Sequence, residues 1–151
     1  MDTSKQFVKM CSSAREIQAL WQFKMGDWFS YELGIEVLDE DFKDEKNYDR
    51  HGMTRDERIA SFMEDEFNPV FLPRQDQLQA MYLRFRNFDS NGREYADQIG
   101  LVQMLDNLHE WYFYEGGDSY PALQSFEQLW LAFVVKELYS KRWNSETWVT
   151  I

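Results

Sequence analysis

The spacing of hydrophobic residues changes several times along this chain, and each change marks an element. After Thr3 and Gln6, which have capping-box spacing, Phe7, Met10, Cys11, Ala14, Ile17, Leu20 and Trp21 recur at helical intervals. That spacing predicts an amphipathic helix ending before Gly26. The period then shortens: Trp28, Tyr31, Leu33, Ile35, Val37 and Leu38 are strand formers, and Gly34 stands where a turn would fold two short strands into a hairpin.

Residues 39–52 are polar and densely charged, as in a solvated loop. Thr54 and Glu57 again have capping-box spacing, and Ile59, Phe62, Met63 and Phe67 supply the apolar side of a short helix closed by Pro69. Val70, Phe71 and Leu72 form an apolar stretch before Pro73, whose fixed φ suits the first turn of a helix. Leu78, Met81, Tyr82 and Phe85 give that helix a buried side, and Asn91-Gly92 stops it. Residues 94–108 read as helical through Tyr95, Ile99, Val102 and Leu105, and Trp111-Tyr112-Phe113-Tyr114 reads as a strand ended by Gly116-Gly117. The clearest element comes last. Ser125 and Gln128 cap a strongly apolar helix through Leu129, Trp130, Leu131, Ala132, Phe133, Val134 and Val135 that extends to about Arg142, with Trp143 and Trp148 in an aromatic tail.

The order helix, hairpin, helices, strand, helix predicts an α+β fold. A small antiparallel sheet is covered by several helices in a single domain over 1–151, with a mobile acidic loop at about 39–53. A content of 44% hydrophobic and 17% aromatic residues supplies the burial such a core needs.

Charge narrows the partners. Twenty-seven acidic against sixteen basic residues leave a net charge of -11, which repels phosphate backbones and anionic lipid, so neither direct nucleic-acid binding nor membrane association is expected. Cys11 is the only cysteine, so no intrachain disulfide forms, and a reducing cytoplasm is the expected compartment. The first residues do not resemble a signal peptide, and the longest apolar run, 129–135, is far short of the roughly 20 residues that span a bilayer.

Candidate chemistry is sparse. Asn87, Asp89, Asn91 and Gly92 match the early positions of an EF-hand loop, but Gln98 stands where a bidentate glutamate should, and a helix-ending turn accounts for the same residues. Asp27 with Asp41 and Lys43 has spacing that a metal-dependent nuclease could use, although Asp41 and Lys43 fall in a charged stretch where such a site would need a buried strand. His51 and His109 are the only imidazoles; a zinc site would need both to converge, and His109-Glu110 is more simply a locally satisfied pair. Cys11 falls on an inner helix face, as a buried structural thiol does. No glycine-rich phosphate loop is present. These readings leave no catalytic residue, no metal ligand and no cofactor.

Six tryptophans, eight tyrosines and twelve phenylalanines exceed what so small a domain fully buries, so some should surface as an interaction patch. Trp21, Trp130 and Phe133 belong to the core, whereas Trp28, Tyr82, Tyr114, Trp143 and Trp148 are expected to be partly exposed.

Three segments carry a family resemblance. They are Cys11 with Ala14-Arg15-Glu16-Ile17-Gln18-Ala19-Leu20-Trp21 and Gly26-Asp27-Trp28; Leu72-Pro73-Arg74-Gln75-Asp76-Gln77-Leu78-Gln79; and Glu127-Gln128-Leu129-Trp130-Leu131-Ala132-Phe133 with Lys136-Glu137 and Trp143-Asn144. Together they resemble a family of small proteins encoded by bacteriophages and prophages, chiefly of Gram-positive bacteria. The resemblance implies origin and a bacterial host cytoplasm, and it brings no activity or site residues with it. In the middle segment Pro73 starts a helix, and Arg74, Gln75, Asp76 and Gln77 occupy its first exposed turn, where Arg74 pairs with Asp76 or with an incoming carboxylate.

The expectation is therefore a non-enzymatic accessory protein that binds a host or phage protein through Trp28, Arg74, Asp76, Tyr114, Trp143 and Trp148. Homo-oligomer formation is left open. Two alternatives stand beside it: an acidic DNA mimic that occupies a host DNA-binding protein, and a small metal-dependent enzyme such as a nuclease.

Overall fold

The computed structural model describes residues 1–22, 24–31, 34–38, 69–86, 97–114, 120 and 123–151. The acidic stretch at 39–53, the helix expected from Thr54, the turn at 87–92, Asp41, Lys43, His51 and Gly116-Gly117 lie outside them.

Ser4 caps α1 (Lys5–Ser13) by accepting from the Phe7 N–H at 3.1 Å, one residue later than the expected cap at Thr3. Phe7, Met10 and Cys11 form its buried side. The single helix expected up to Gly26 is in fact two. The hydroxyls of Ser12 and Ser13 donate to the Lys9 carbonyl, at 3.0 and 2.6 Å, and this back-bonding competes with the helical ladder. At Ala14 the chain leaves helical geometry (φ -84°, ψ 70°), and a separate helix, α2 (Arg15–Ala19), starts after it.

Lys24 to Asp27 then make a type II turn, with the Asp27 N–H donating to the Lys24 carbonyl at 3.0 Å and Gly26 at φ +85°. The Gly26 N–H also donates to Leu38 O, and the Leu38 N–H donates to Asp27 O, which is the bonding of a bulge with glycine in its left-handed position. A residue with a Cβ would be strained there. From this bulge runs the expected hairpin, β1 (Trp28–Tyr31) and β2 (Gly34–Val37), and β3 (Val70–Leu72) joins its other side to give an antiparallel sheet of order β2-β1-β3. Phe71 faces away from β1, and Gln18 completes it as a neighbouring strand would. The Phe71 N–H donates to Gln18 Oε1 at 2.8 Å, and Gln18 Nε2 donates back to Phe71 O at 3.0 Å.

Helix α3 (Gln75–Arg86) follows Pro73, α4 spans Asp97–Tyr114 and α5 spans Phe126–Tyr139. Helix α5 is the centre of the molecule: Gln128 and every residue from Trp130 to Val135 are buried, so it is covered on all sides by α1, α3 and the C-terminal hairpin. Ser125 caps it as expected, accepting from the Gln128 N–H at 3.1 Å. It ends at Tyr139, short of Arg142, because Ser140 takes the left-handed conformation (φ 51°, ψ 47°) and donates its N–H to Lys136 O. The hairpin of β4 (Lys141–Trp143) and β5 (Trp148–Thr150) follows, its loop held by Asn144 Oδ1, which accepts from the Glu146 and Thr147 N–H groups.

The strand expected at 111–114 is overturned. These residues end α4, because Met104 and Trp111, buried at helical spacing, dock the helix on the core; Trp111 meets Tyr120 and Phe133 at centroid distances of 5.2 and 5.4 Å. Strand propensity spans about 1 kcal/mol, whereas burying a large aromatic side chain contributes about 3 kcal/mol, so packing decides. Among the described residues the architecture is thus five helices with a three-stranded and a two-stranded antiparallel sheet, the expected α+β class.

Candidate interaction surface

The two residues expected to mark the aromatic tail are not on the surface. Trp143 is fully buried and Trp148 nearly so. They face each other across the hairpin with ring centroids 5.2 Å apart, and Trp148 Nε1 donates to Met10 O at 2.9 Å, which fastens the hairpin to α1. Their inward burial is a consequence of register: antiparallel partners point to the same side, here the core. Tyr82 is also buried, with its hydroxyl accepting from Asn107 Nδ2 at 2.7 Å, and Trp28 is half-buried against the core. Phe85, expected on the buried side of α3, is exposed.

Arg74 and Asp76 form part of a joint. Arg74 donates to both carboxylate oxygens of Asp76, at 3.0 and 3.1 Å, while its Nη1 donates to Gly26 O at 2.6 Å. The Arg74 hydrogen bond holds the Asp76 carboxyl below its ordinary value against the opposing effect of burial. Gln77 works in both directions: its Oε1 accepts from the Arg74 N–H, closing the first turn of α3, and its Nε2 donates to Asp27 Oδ1. The Asp27 carboxylate is buried and takes two further donors on Oδ2, Trp21 Nε1 at 2.9 Å and the Lys24 N–H at 2.7 Å. Residues 21–27 and 74–77, far apart in sequence, therefore meet at one place, where they lock the bulge, the end of α2 and the start of α3 together.

A second lock holds the N-terminal segment. Gln128 Nε2 donates to Asp2 Oδ2 at 2.7 Å and to Ser4 Oγ at 3.1 Å, and Ser125 Oγ also donates to Asp2. Burial alone would raise the Asp2 carboxyl, but the bonds from Ser125, Ser4 and Gln128 outweigh it and hold the group below its ordinary value. Nothing in the sequence spacing points to this pairing.

Of the expected site residues, Tyr114 alone is strongly exposed and aromatic, at 78%. It does not stand alone. On the outer side of α4, Leu101 (45%), Val102 (61%), Leu105 (54%) and Phe113 (61%) are also exposed, and Leu101, Leu105, His109 and Phe113 follow one another at four-residue steps. The His109 ring lies 4.8 Å from Phe113 and 6.0 Å from Tyr114, centroid to centroid. Asp106 and Glu110 are exposed on the same helix, whose sequence contains no lysine or arginine. The face is thus an apolar ridge with an acidic border. The spacing expectation had Val102 and Leu105 on the helical stripe of 94–108, but the structure exposes both and buries Met104 instead.

Among the described residues no group of three His, Cys, Asp or Glu side chains is placed to hold a metal ion, and no helix is long and apolar enough to cross a membrane. Compared with protein-family models, curated proteins and solved structures, the chain matches none.

Proposed function

We propose that this chain is a phage- or prophage-encoded accessory protein that acts in the bacterial cytoplasm by binding another protein through the outer face of α4. The observation that supports the reading is the concentration of large exposed apolar side chains, Leu101, Val102, Leu105, Phe113 and Tyr114, on a helix whose opposite side is anchored in the core by Met104 and Trp111. Scattered single hydrophobics on a surface mean little, but a contiguous ridge on a rigid helix is what a helix-in-groove interface presents. The acidic border and the absence of basic residues on α4 fit a partner with an apolar groove and a basic rim.

The test is capture from bacterial host lysate by the wild-type chain and by the double variant Leu105→Asp, Phe113→Asp, after thermal melts show the two equally folded. A protein retained by wild type in high salt and lost by the variant supports the reading. Identical retained sets overturn it, and retention that DNA competes away favours a DNA mimic instead.

A further inference from the structure

We propose that the outer edge of β2 is a strand-acceptor site for an extended basic peptide segment, an interaction independent of the α4 face. The sheet has two edges, and the chain treats them differently. On the β3 edge the one outward-facing residue, Phe71, has both backbone groups bonded by Gln18. On the β2 side, register fixes the direction of each residue. Leu38 bonds back to Asp27, and antiparallel pairs alternate, so Glu36 and Gly34 bond to Phe29 and Tyr31 while Ile35 and Val37 turn their N–H and C=O groups away from β1. No described residue pairs with that edge.

An open edge of alternating groups has one natural occupant, another extended strand. An antiparallel arrival that exchanges bonds with Ile35 and Val37 places its intervening residue directly opposite Glu36, in the close non-hydrogen-bonded pairing. The Glu36 carboxylate accepts from the Tyr31 hydroxyl, which fixes it along the sheet. A second copy of β2 arriving this way would set Glu36 against Glu36, like charge on like charge, so self-pairing is disfavoured. Lysine or arginine at that place is favoured.

Amide hydrogen exchange on the full chain tests this, with a short capped peptide of alternating valine and lysine as the probe and its valine–glutamate counterpart as control. In the free protein the Ile35 and Val37 amides should exchange fast while that of Glu36 is protected; slow exchange at Ile35 and Val37 means the edge is already covered and overturns the proposal. Lysine peptide at tenfold over its dissociation constant should slow those two amides about tenfold. Val37→Pro removes an outward N–H that the β1 ladder does not use, a position where edge strands tolerate proline, and should abolish the effect. Glu36→Lys, a variant without backbone strain, should reverse the preference to the glutamate peptide. Equal response to both peptides, or none to either at millimolar concentration, also overturns it.

Discussion

Gln77 Nε2 donates to Asp27 Oδ1 at 2.6 Å across 50 positions of sequence, and the same side chain closes the turn in which Arg74 reaches Gly26. The bond joins the first residue before β1 to the first turn of α3. Asp27→Ala would leave Trp21 Nε1, the Lys24 N–H and Gln77 Nε2 without their acceptor, and its expected cost is about 3 kcal/mol in urea unfolding. Gln77→Ala should cost about 1.5 kcal/mol, and a double-mutant cycle should return a coupling of about 1 kcal/mol. Additive losses would mean the bond is not formed in solution.

The two hairpin tryptophans offer a matched comparison. Trp148 Nε1 has a partner in Met10 O, whereas Trp143 Nε1 is buried with none among the described residues. Replacing either ring by phenylalanine loses similar apolar area, but Trp148→Phe also breaks a buried hydrogen bond, whereas Trp143→Phe removes an N–H that makes none. Trp148→Phe should therefore destabilise by about 1 kcal/mol more than Trp143→Phe in denaturant titrations. Either alanine variant should cost about 3–5 kcal/mol.

Acid should release the N-terminal segment. The folded-state carboxyl of Asp2 lies below its ordinary value. A depressed carboxyl stabilises the fold above the unfolded-state value, about 4, and that contribution is lost as pH falls through the folded value. Thermal melts from neutral to acid pH should show a steeper loss for wild type than for Asp2→Asn, and the Ser4 amide should lose its exchange protection first. Parallel curves would contradict the lock.

On α4, neighbouring positions should respond in opposite ways. Met104 is buried and Leu105 is exposed. Leu105→Asp should change the unfolding free energy by less than about 0.5 kcal/mol, whereas Met104→Asp should cost more than about 3 kcal/mol by burying a charge. Comparable losses at both would place α4 in another rotation about its axis.

Cys11 is fully buried, and burial pushes its thiol well above the ordinary value. Native protein should react with a thiol reagent only through opening, at a rate that rises with denaturant in step with unfolding. Rapid labelling at neutral pH would show that α1 frays.

The elements carried by spacing and caps were legible: α1 to within one residue at its start, the β1–β2 hairpin, α3 after Pro73, and α5 from its Ser125 cap. The failures share a cause, which is that long-range packing overrides local preference. Trp111 to Tyr114 look like a strand until Tyr120 and Phe133 are known to receive Trp111. Trp143 and Trp148 look like a loose tail until α1 supplies Met10 O as an acceptor. For the surface, Tyr114 was found by its chemistry, but Leu101, Val102 and Leu105 became recognisable only once the rotation of α4 was fixed by the residues it buries.

Helix α5, on which α1, α3 and the hairpin all pack, is also the last helix to leave the ribosome among those described. The inner sides of α1, α3 and α4 are made first and stay incompletely covered until Trp130 and Phe133 emerge. Synthesis therefore passes through a stage in which greasy faces of several nascent helices are bare, and the chain's large negative charge then keeps unfinished copies apart.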